Sequence, residues 1–476
     1  MNENFEKEEI TEDVEFSVSY EKKAPDWDEL AELISEKRLS ELRRRIDETP
    51  PPDLAILMES APREARGIFY RLMHKDIAAE VFVEMDPEMQ AELIEMLTDA
   101  ELSETLKELY IDDTVDIIEE MPALVVKRII RSSTPENRES INRILCYPKD
   151  SAGTIMTTEY VKLPSDITVG DALEEIRRVA IDKETIYTSY ITDKDNHLIG
   201  LVTARSLMLS APQTPISDII EERVIFANTT EDKEEVARKF DKYGFIALPV
   251  VDNECRLVGI VTVDDAMEVI HEETEEDFAK MAAIIPSDKG YLKTDAFSIF
   301  KTRIPWLLLL MVSATVSSSI LSFFEASLLP VLVLFVPMLM DTGGNSGSQA
   351  SVTAIRALSL GEIKLSDVLR VLWKEIRVGL LCGVSLGVVA FGKIMLVDRL
   401  IMGNPAVTVW VAIAVSASLA ATVLAAKIIG GSLPLLAKRL GLDPAVMASP
   451  LITTLVDAVG LILYFVVSAY AFGLTL

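Results

Sequence analysis

From Pro444 to Leu476 the chain carries one charged residue, Asp457, set within PLITTLVDAVGLILYF (450–465). The run exceeds the roughly 20 apolar residues that cross a bilayer, so a helix in lipid is the first constraint on the fold. A carboxylate at that depth costs at least ~2.5 kcal/mol on a lenient insertion scale, and it persists where it meets water, a cation or a partner helix. Ser449, Thr453 and Gly460, at i−8, i−4 and i+3, share its helix face as a small, polar stripe. The stripe reads as one wall of a wet path for a cation. The alternative is a protonated or hydrogen-bonded carboxyl that fixes helix packing.

Charge divides the chain in two. Residues 301–476 hold 12 Lys and Arg against 8 Asp and Glu, which leaves 34 against 67 in residues 1–300, a net of −33 in a chain of −29 overall. A strongly acidic soluble half thus precedes a membrane half. Such a domain repels itself unless counter-ions neutralise it. It lacks the positive surface that nucleic acid requires, and it suits hard divalent cations, which take oxygen ligands. The three cysteines and three histidines show no metal-ligand spacing. A zinc-type centre is therefore not expected, and neither is an enzyme: no phosphate loop, nucleophile constellation or histidine pair is visible. The opening MNENFEKEEITEDVEF is acidic without an apolar core, unlike a signal peptide. The first half is expected in the cytoplasm.

Residues 1–25 are polar and expected to be flexible. Trp27–Ile46 reads as one helix. Residues 53–145 repeat short amphipathic helices broken at proline, a pattern that predicts an all-α superhelical N domain over 26–146. Within it Asp112 and Asp116 share a helix face, next to Asp113. Residues 147–270 alternate short β-like runs with helices and contain an internal repeat. YITDKDNHLIGLVTARSLM (190–208) aligns with PVVDNECRLVGIVTVDDAM (249–267) at a period of 59, matching Asp193 with Asp252, Gly200 with Gly259 and Thr203 with Thr262. Each copy reads as strand, acidic turn, strand, helix and resembles a CBS domain; two copies imply a tandem pair with clefts for adenine nucleotides, ATP among them, or for ions. A helix rich in acidic residues then runs towards the membrane, over residues 271–300.

Five spans fit residues 301–476: 304–324, 326–355, 372–397, 406–436 and 447–472. Lys301, Arg303, Arg356, Lys364, Arg370, Lys438 and Arg439 fall on one side, against Glu325, Lys393, Asp398 and Arg399 on the other. The positive-inside trend places the N-terminus in the cytoplasm and the C-terminus outside. Span two contains PMLMDTGGNSGSQASVTAIRALSLGEI (337–363), where Asp341, Asn345 and Gln349 lie among glycines. Those glycines either let the backbone unwind to line a cavity or let helices pack closely.

The motifs PMLMDTGGNSGSQ and SPLITTLVDAVG, in this order of parts, resemble the MgtE family of magnesium channels, over nearly the whole chain after about residue 25. The resemblance implies a multi-domain membrane protein: superhelical N domain, α/β CBS-domain pair, connecting (plug) helix and five-helix transmembrane domain. It implies a homodimer in the plasma membrane that passes Mg2+ and closes when cytosolic Mg2+ binds. By that likeness Asp457 is the central pore carboxylate, with Asn345, Thr453 and Gly460 lining the path, and Asp443 is the pore-side contact of the gating helix. Asp265, Glu268, Glu273, Glu276 and Asp277 resemble regulatory Mg2+ ligands, joined by Asp232, Glu234, Asp112 and Asp116. Gly244 stands where another acidic ligand is expected, and Ser449 where some relatives carry Asn. A Mg2+/Na+ or Mg2+/H+ exchanger is the alternative reading, with Asp457 as a protonation site. A membrane-anchored nucleotide sensor would leave Asp341, Asn345 and Asp457 unexplained.

Overall fold

The computed structural model describes residues 26–286, 291–292, 294–325, 329–447 and 449–473. Residues 1–25, expected to be flexible, lie outside the described residues. The chain divides into two compact units, Met1–Ile270 and His271–Leu476.

The first unit opens with ten helices of nine or ten residues, α1 (Trp27–Ser35) to α10 (Pro135–Ile144). The single helix expected from Trp27 to Ile46 is two, because Lys37 takes a left-handed backbone (φ 56°) and α2 restarts at Leu39. Proline opens α3 (Pro51–Ser60) and α10, where its missing N–H is harmless. Thr98 and Glu101 cap α7 (Asp99–Glu108) reciprocally. Alternate helices pack on each other: α3 on α5 (Lys75–Val83), α5 on α7, and α7 on α9 (Ala123–Ser132). That stacking produces a superhelix.

Two three-stranded sheets follow, each with one parallel and one antiparallel pairing: β1 (Val161–Pro164), β2 (Thr188–Thr192) and β3 (Leu198–Thr203), then β4 (Ala227–Asn228), β5 (Ala247–Val251) and β6 (Leu257–Thr262). The 59-residue repeat has a physical cause at each matched position. Asp193 accepts from the N–H groups of Asp195 and His197, and Asp252 accepts from those of Glu254 and Arg256, so both close the same turn. A Cβ on Gly200 would lie 2.8 Å from the Glu221 carbonyl oxygen, and one on Gly259 would lie 2.8 Å from that of Thr157. The hairpins of the two modules meet where Leu198 N–H donates to Cys255 O and Leu257 N–H donates to Asn196 O. Helix α11 (Val169–Val179) and helix α12 (Ala204–Leu209) belong to the first module, and α13 (Lys233–Tyr243) to the second. One apolar core joins the helical domain to the second module: Leu106, Val115 and Ile144 belong to the same cluster as Val236, Phe240 and Val261.

The charged connecting helix is α14 (Val263–Met281), which starts directly after β6. The second unit holds α15 (Ala296–Glu325), the one-turn α16 (Pro330–Val333), α17 (Val336–Ser359), α18 (Val368–Lys393), α19 (Val409–Arg439) and α20 (Ser449–Phe472). The segments around α15, α18, α19 and α20 are each long and apolar enough to cross a membrane. The expected second span is shortened at its start to α17, whose 24 residues reach about 36 Å at 1.5 Å per residue and are rich in Gly, Ser, Thr, Asn and Gln rather than uniformly apolar. It packs against α19 and α20.

Candidate ion path and acidic junction

Small residues set how closely α17 approaches its neighbours. A Cβ on Gly344 would lie 3.0 Å from Thr453 Cγ2. One on Gly347 would lie 2.8 Å from Ile452 Cγ2 and 3.0 Å from Val456 Cγ2, and one on Gly343 2.8 Å from Thr422 Cγ2. These glycines are the contact surface of α17 with α19 and α20, as small residues are in membrane bundles. They do not unwind the helix, which is continuous from Val336 to Ser359.

The polar residues of α17 fall on another face. Asp341, Asn345 and Gln349 recur every four residues and are all exposed in the single chain. Asn345 Nδ2 donates to Asp341 Oδ1 at 3.2 Å. Gln349 Oε1 accepts from Nζ of Lys427, a buried lysine on α19, at 3.2 Å. On α20, Asp457 and Thr453 are partly exposed, and the Thr453 hydroxyl donates to Pro450 O at 2.9 Å. Gly460 is buried, and a Cβ there would lie 2.8 Å from Thr422 Cγ2, so it meets α19. The side chain of Ser449 lies outside the described residues.

The second feature is a junction of carboxylates in the first unit. Asp112 and Asp113 open α8 (Ile111–Glu120), with Asp116 one turn on. Asp264, Asp265 and Glu268 come from the start of α14, and Glu184 from the first CBS module. Asp112 is 5 % exposed, and its Oδ1 has no hydrogen-bond partner among the described residues; nor has the buried Oε2 of Glu184. Burial, then the charge of Asp265, pushes Asp112 well above the usual carboxylate range. Burial and then Asp265 raise Asp113 to about 7; burial and then Asp113 raise Glu184 to about 8. Burial and then Asp265 raise Asp116 too, but its side chain is exposed and solvent screens the effect. Asp265 is raised by burial, against the Thr262 hydroxyl that donates to its Oδ2 at 2.5 Å. Orphaned oxygens among like charges are a donor set that fits a hard divalent cation.

Asp232 and Glu234 have local roles. Asp232 caps α13, accepting from the Glu234 N–H at 2.9 Å, and Glu234 pairs with Arg238. Gly244, where an acidic residue was expected, ends α13 with φ +66° and donates its N–H to Phe240 O. On the later part of α14, Glu273 is half-buried and Asp277 Oδ2 accepts from the Ser359 hydroxyl at 3.2 Å. Glu276 and Asp443 both pair with Lys280, at 2.8 and 2.6 Å. Sequence reasoning missed Glu184, Asp264 and Lys280. Glu184 and Asp264 sit far apart in sequence, with no motif to join them; Lys280 is a lone cation within an acidic run.

Family models match residues 336–467 (divalent cation transporter), 49–150 (MgtE intracellular N domain), and 152–211 and 216–272 (CBS domain). The chain is 38 % identical over 441 residues to a magnesium transporter MgtE of Thermus thermophilus, covering 91 % of this chain and 96 % of the relative. It is 31 % identical to the magnesium transporter MgtE of Bacillus subtilis, over 91 % of this chain and 94 % of that one. A solved cytosolic domain of the Mg2+ channel MgtE in complex with ATP is 38 % identical, covers 51 % of this chain and 99 % of its own, and superposes with a TM-score of 0.49. With identity of this level across nearly its whole length, the chain belongs to the MgtE family of divalent cation transporters.

Proposed function

We propose that this chain is a Mg2+-selective channel that admits magnesium across the plasma membrane and closes when cytosolic Mg2+ occupies the acidic junction. The observation that carries the reading is the Asp341–Asn345–Gln349 stripe of α17 beside Asp457 of α20. Charged and amide side chains on membrane helices stand exposed in the single chain, and such groups require water, a cation or another protein surface. A second copy facing the first supplies that surface, so the working unit is a homodimer with the path between the two stripes. The N-terminus faces the cytoplasm and the C-terminus the outside.

Mg2+ holds six waters in near-octahedral geometry and gives them up reluctantly. Two Asp457 carboxylates, one from each copy, attract the hydrated ion without stripping it, and a monovalent ion at the same distance gains about half the Coulomb energy. Asn345 and Thr453 orient its waters. For closure, Asp112, Asp113, Asp116, Asp265, Glu268 and Glu184 would hold regulatory Mg2+, which supplies the positive charge their docking lacks. Without it they repel, the helical domain leaves the second CBS module, and α14 is released. Glu273 and Asp277 lie further along that same helix. The CBS pair is where the reading places ATP, since a relative's cytosolic domain, 38 % identical to this chain, is solved in complex with it.

Asp457→Ala should abolish Mg2+ uptake in a Mg2+-dependent strain while the purified variant keeps its thermal stability. Normal growth of that strain on the variant would overturn the path. Currents that follow a Na+ or H+ gradient would favour the exchanger.

A further inference from the structure

Lys280 is the basic residue in the last turn of α14, and two carboxylates converge on it. Its ammonium donates to Glu276 one turn earlier on the same helix at 2.8 Å. It also donates to Asp443, in the turn between α19 and α20, at 2.6 Å. The other oxygen of Asp443 accepts from the Ala445 N–H at 2.8 Å. Asp443 therefore has both oxygens engaged by the chain itself. About 5 Å along the helix (three residues at 1.5 Å each), Asp277 accepts from Ser359 at the end of α17. Two side chains on one helical turn thus hold the segments that lead out of α17 and into α20.

We propose that Lys280 is a positioning residue whose tethered ammonium takes the place of a free divalent cation between Glu276 and Asp443, fastening α14 to the turn that leads into the Asp457 helix. This rests on the gating reading above and adds to it: Asp443, which the family resemblance sets against the gating helix, serves as an ion-pair acceptor for Lys280, and the free ions act at the junction of Asp112, Asp265 and Glu184. The chemistry favours this division. A lysine between two carboxylates halves the net charge that would draw Mg2+ there, and a Mg2+ ion there would have to displace an ammonium held to the backbone at high effective concentration. The pair is partly exposed, with Lys280 at 23 % and Asp443 at 34 %. It therefore biases the gate rather than locking it, and the junction retains control.

The test uses full-length protein and two readouts. Amide exchange over residues 440–447 in EDTA should be faster in Lys280→Met than in wild type, because the Asp443 turn loses its anchor. In patches, Lys280→Met should need roughly 2- to 5-fold more cytosolic Mg2+ for half-closure, the size expected of a partly exposed pair. Lys280→Arg should restore both readouts, and so should the charge swap Lys280→Asp with Asp443→Lys, which no Mg2+ ligand at residue 443 would tolerate. Unchanged exchange in Lys280→Met, or a swap that behaves worse than either single variant, overturns the proposal. If the wild type passes Mg2+ without closing, the gating reading falls while the exchange data still decide the Lys280 contact.

Discussion

Neutralising one carboxylate of the junction should do part of the work of Mg2+. Asp113 is the best choice: it is partly buried, it faces Asp265, Asp264 and Glu268, and its carboxyl is raised from 3.8 to about 7. At about 1.4 kcal/mol per unit, that corresponds to roughly 4 kcal/mol against holding an ionised Asp113 in place. Driving a two-state equilibrium from 1:99 to 99:1 takes ~5.5 kcal/mol, so the part of this that arises on docking, from burial first and then from the charge of Asp265, is enough to shift it. Asp113→Asn removes the charge and keeps an oxygen for the Tyr110 backbone. Limited proteolysis of the full-length protein at pH 7.5 reports docking as protection of the segment between residues 145 and 160. Wild type should be cut in EDTA and protected as Mg2+ is added. The variant should be protected already in EDTA, and the further effect of Mg2+ should shrink because one ligand is gone. Identical half-protecting Mg2+ concentrations for the two proteins would refute the claim that carboxylate repulsion opposes docking.

Two further outcomes follow from the same geometry. The carboxyls of Asp113 and Glu184 lie above their ordinary 3.8 and 4.5, at about 7 and about 8; their contribution to docking is complete below pH ~4 and is lost as pH rises through 7 to 8. Protection in EDTA should therefore fall across that window and saturating Mg2+ should flatten the profile; protection that rises with pH in EDTA would contradict the sign. In the membrane unit, a Cβ at Gly383 would lie 2.7 Å from the Ala420 carbonyl oxygen and 3.3 Å from its Cα, neither of which can move aside cheaply. Gly383→Ala should cost about 1–3 kcal/mol, read as a lowered melting temperature in detergent, and an unchanged melting curve would show that α18 and α19 are less closely packed.

The repeat was legible in the sequence because its matched residues do identical local chemistry: Asp193 and Asp252 close turns, Gly200 and Gly259 clear space for a neighbouring backbone. The short helices of the N domain were legible through their prolines, and Asp457 through the cost of a charge in lipid. The break at Lys37 was not, since a left-handed lysine leaves no compositional mark. The glycine ladder Gly379, Gly383 and Gly387, which seats α18 on α19, repeats every four residues and was open to the same small-residue reading as α17. Glu184 was beyond reach for a different reason. Its role comes from tertiary packing that brings a first-module residue beside α8 and α14, and no spacing along the chain encodes that.

The continuity of α17 bears on how the ion is selected. A glycine-rich membrane segment can line a path with freed carbonyls, but the carbonyls of a continuous helix are committed to its own hydrogen bonds. The glycines meet Thr453, Val456 and Thr422 instead. What α17 and α20 offer the ion among the described residues is side-chain oxygen: Asp341, Asn345 and Gln349 on one helix, Thr453 and Asp457 on the other. Two of these already accept within the chain, Asp341 from the Asn345 amide and Gln349 from Lys427, while the Thr453 hydroxyl donates to Pro450 O and keeps its oxygen lone pairs free. Asp341, Asn345 and Gln349 stand one turn apart, about 6 Å of rise between neighbours, so they do not converge on a single ion and suit the outside of its six tightly held waters, whose loss Mg2+ resists. Selection must then act on the hydrated ion, through the charge of Asp457 and the width left between helices. A substitution that widens the α17–α20 contact should relax selectivity towards larger hydrated ions before it abolishes conduction, whereas loss of the Asp457 charge should abolish both together.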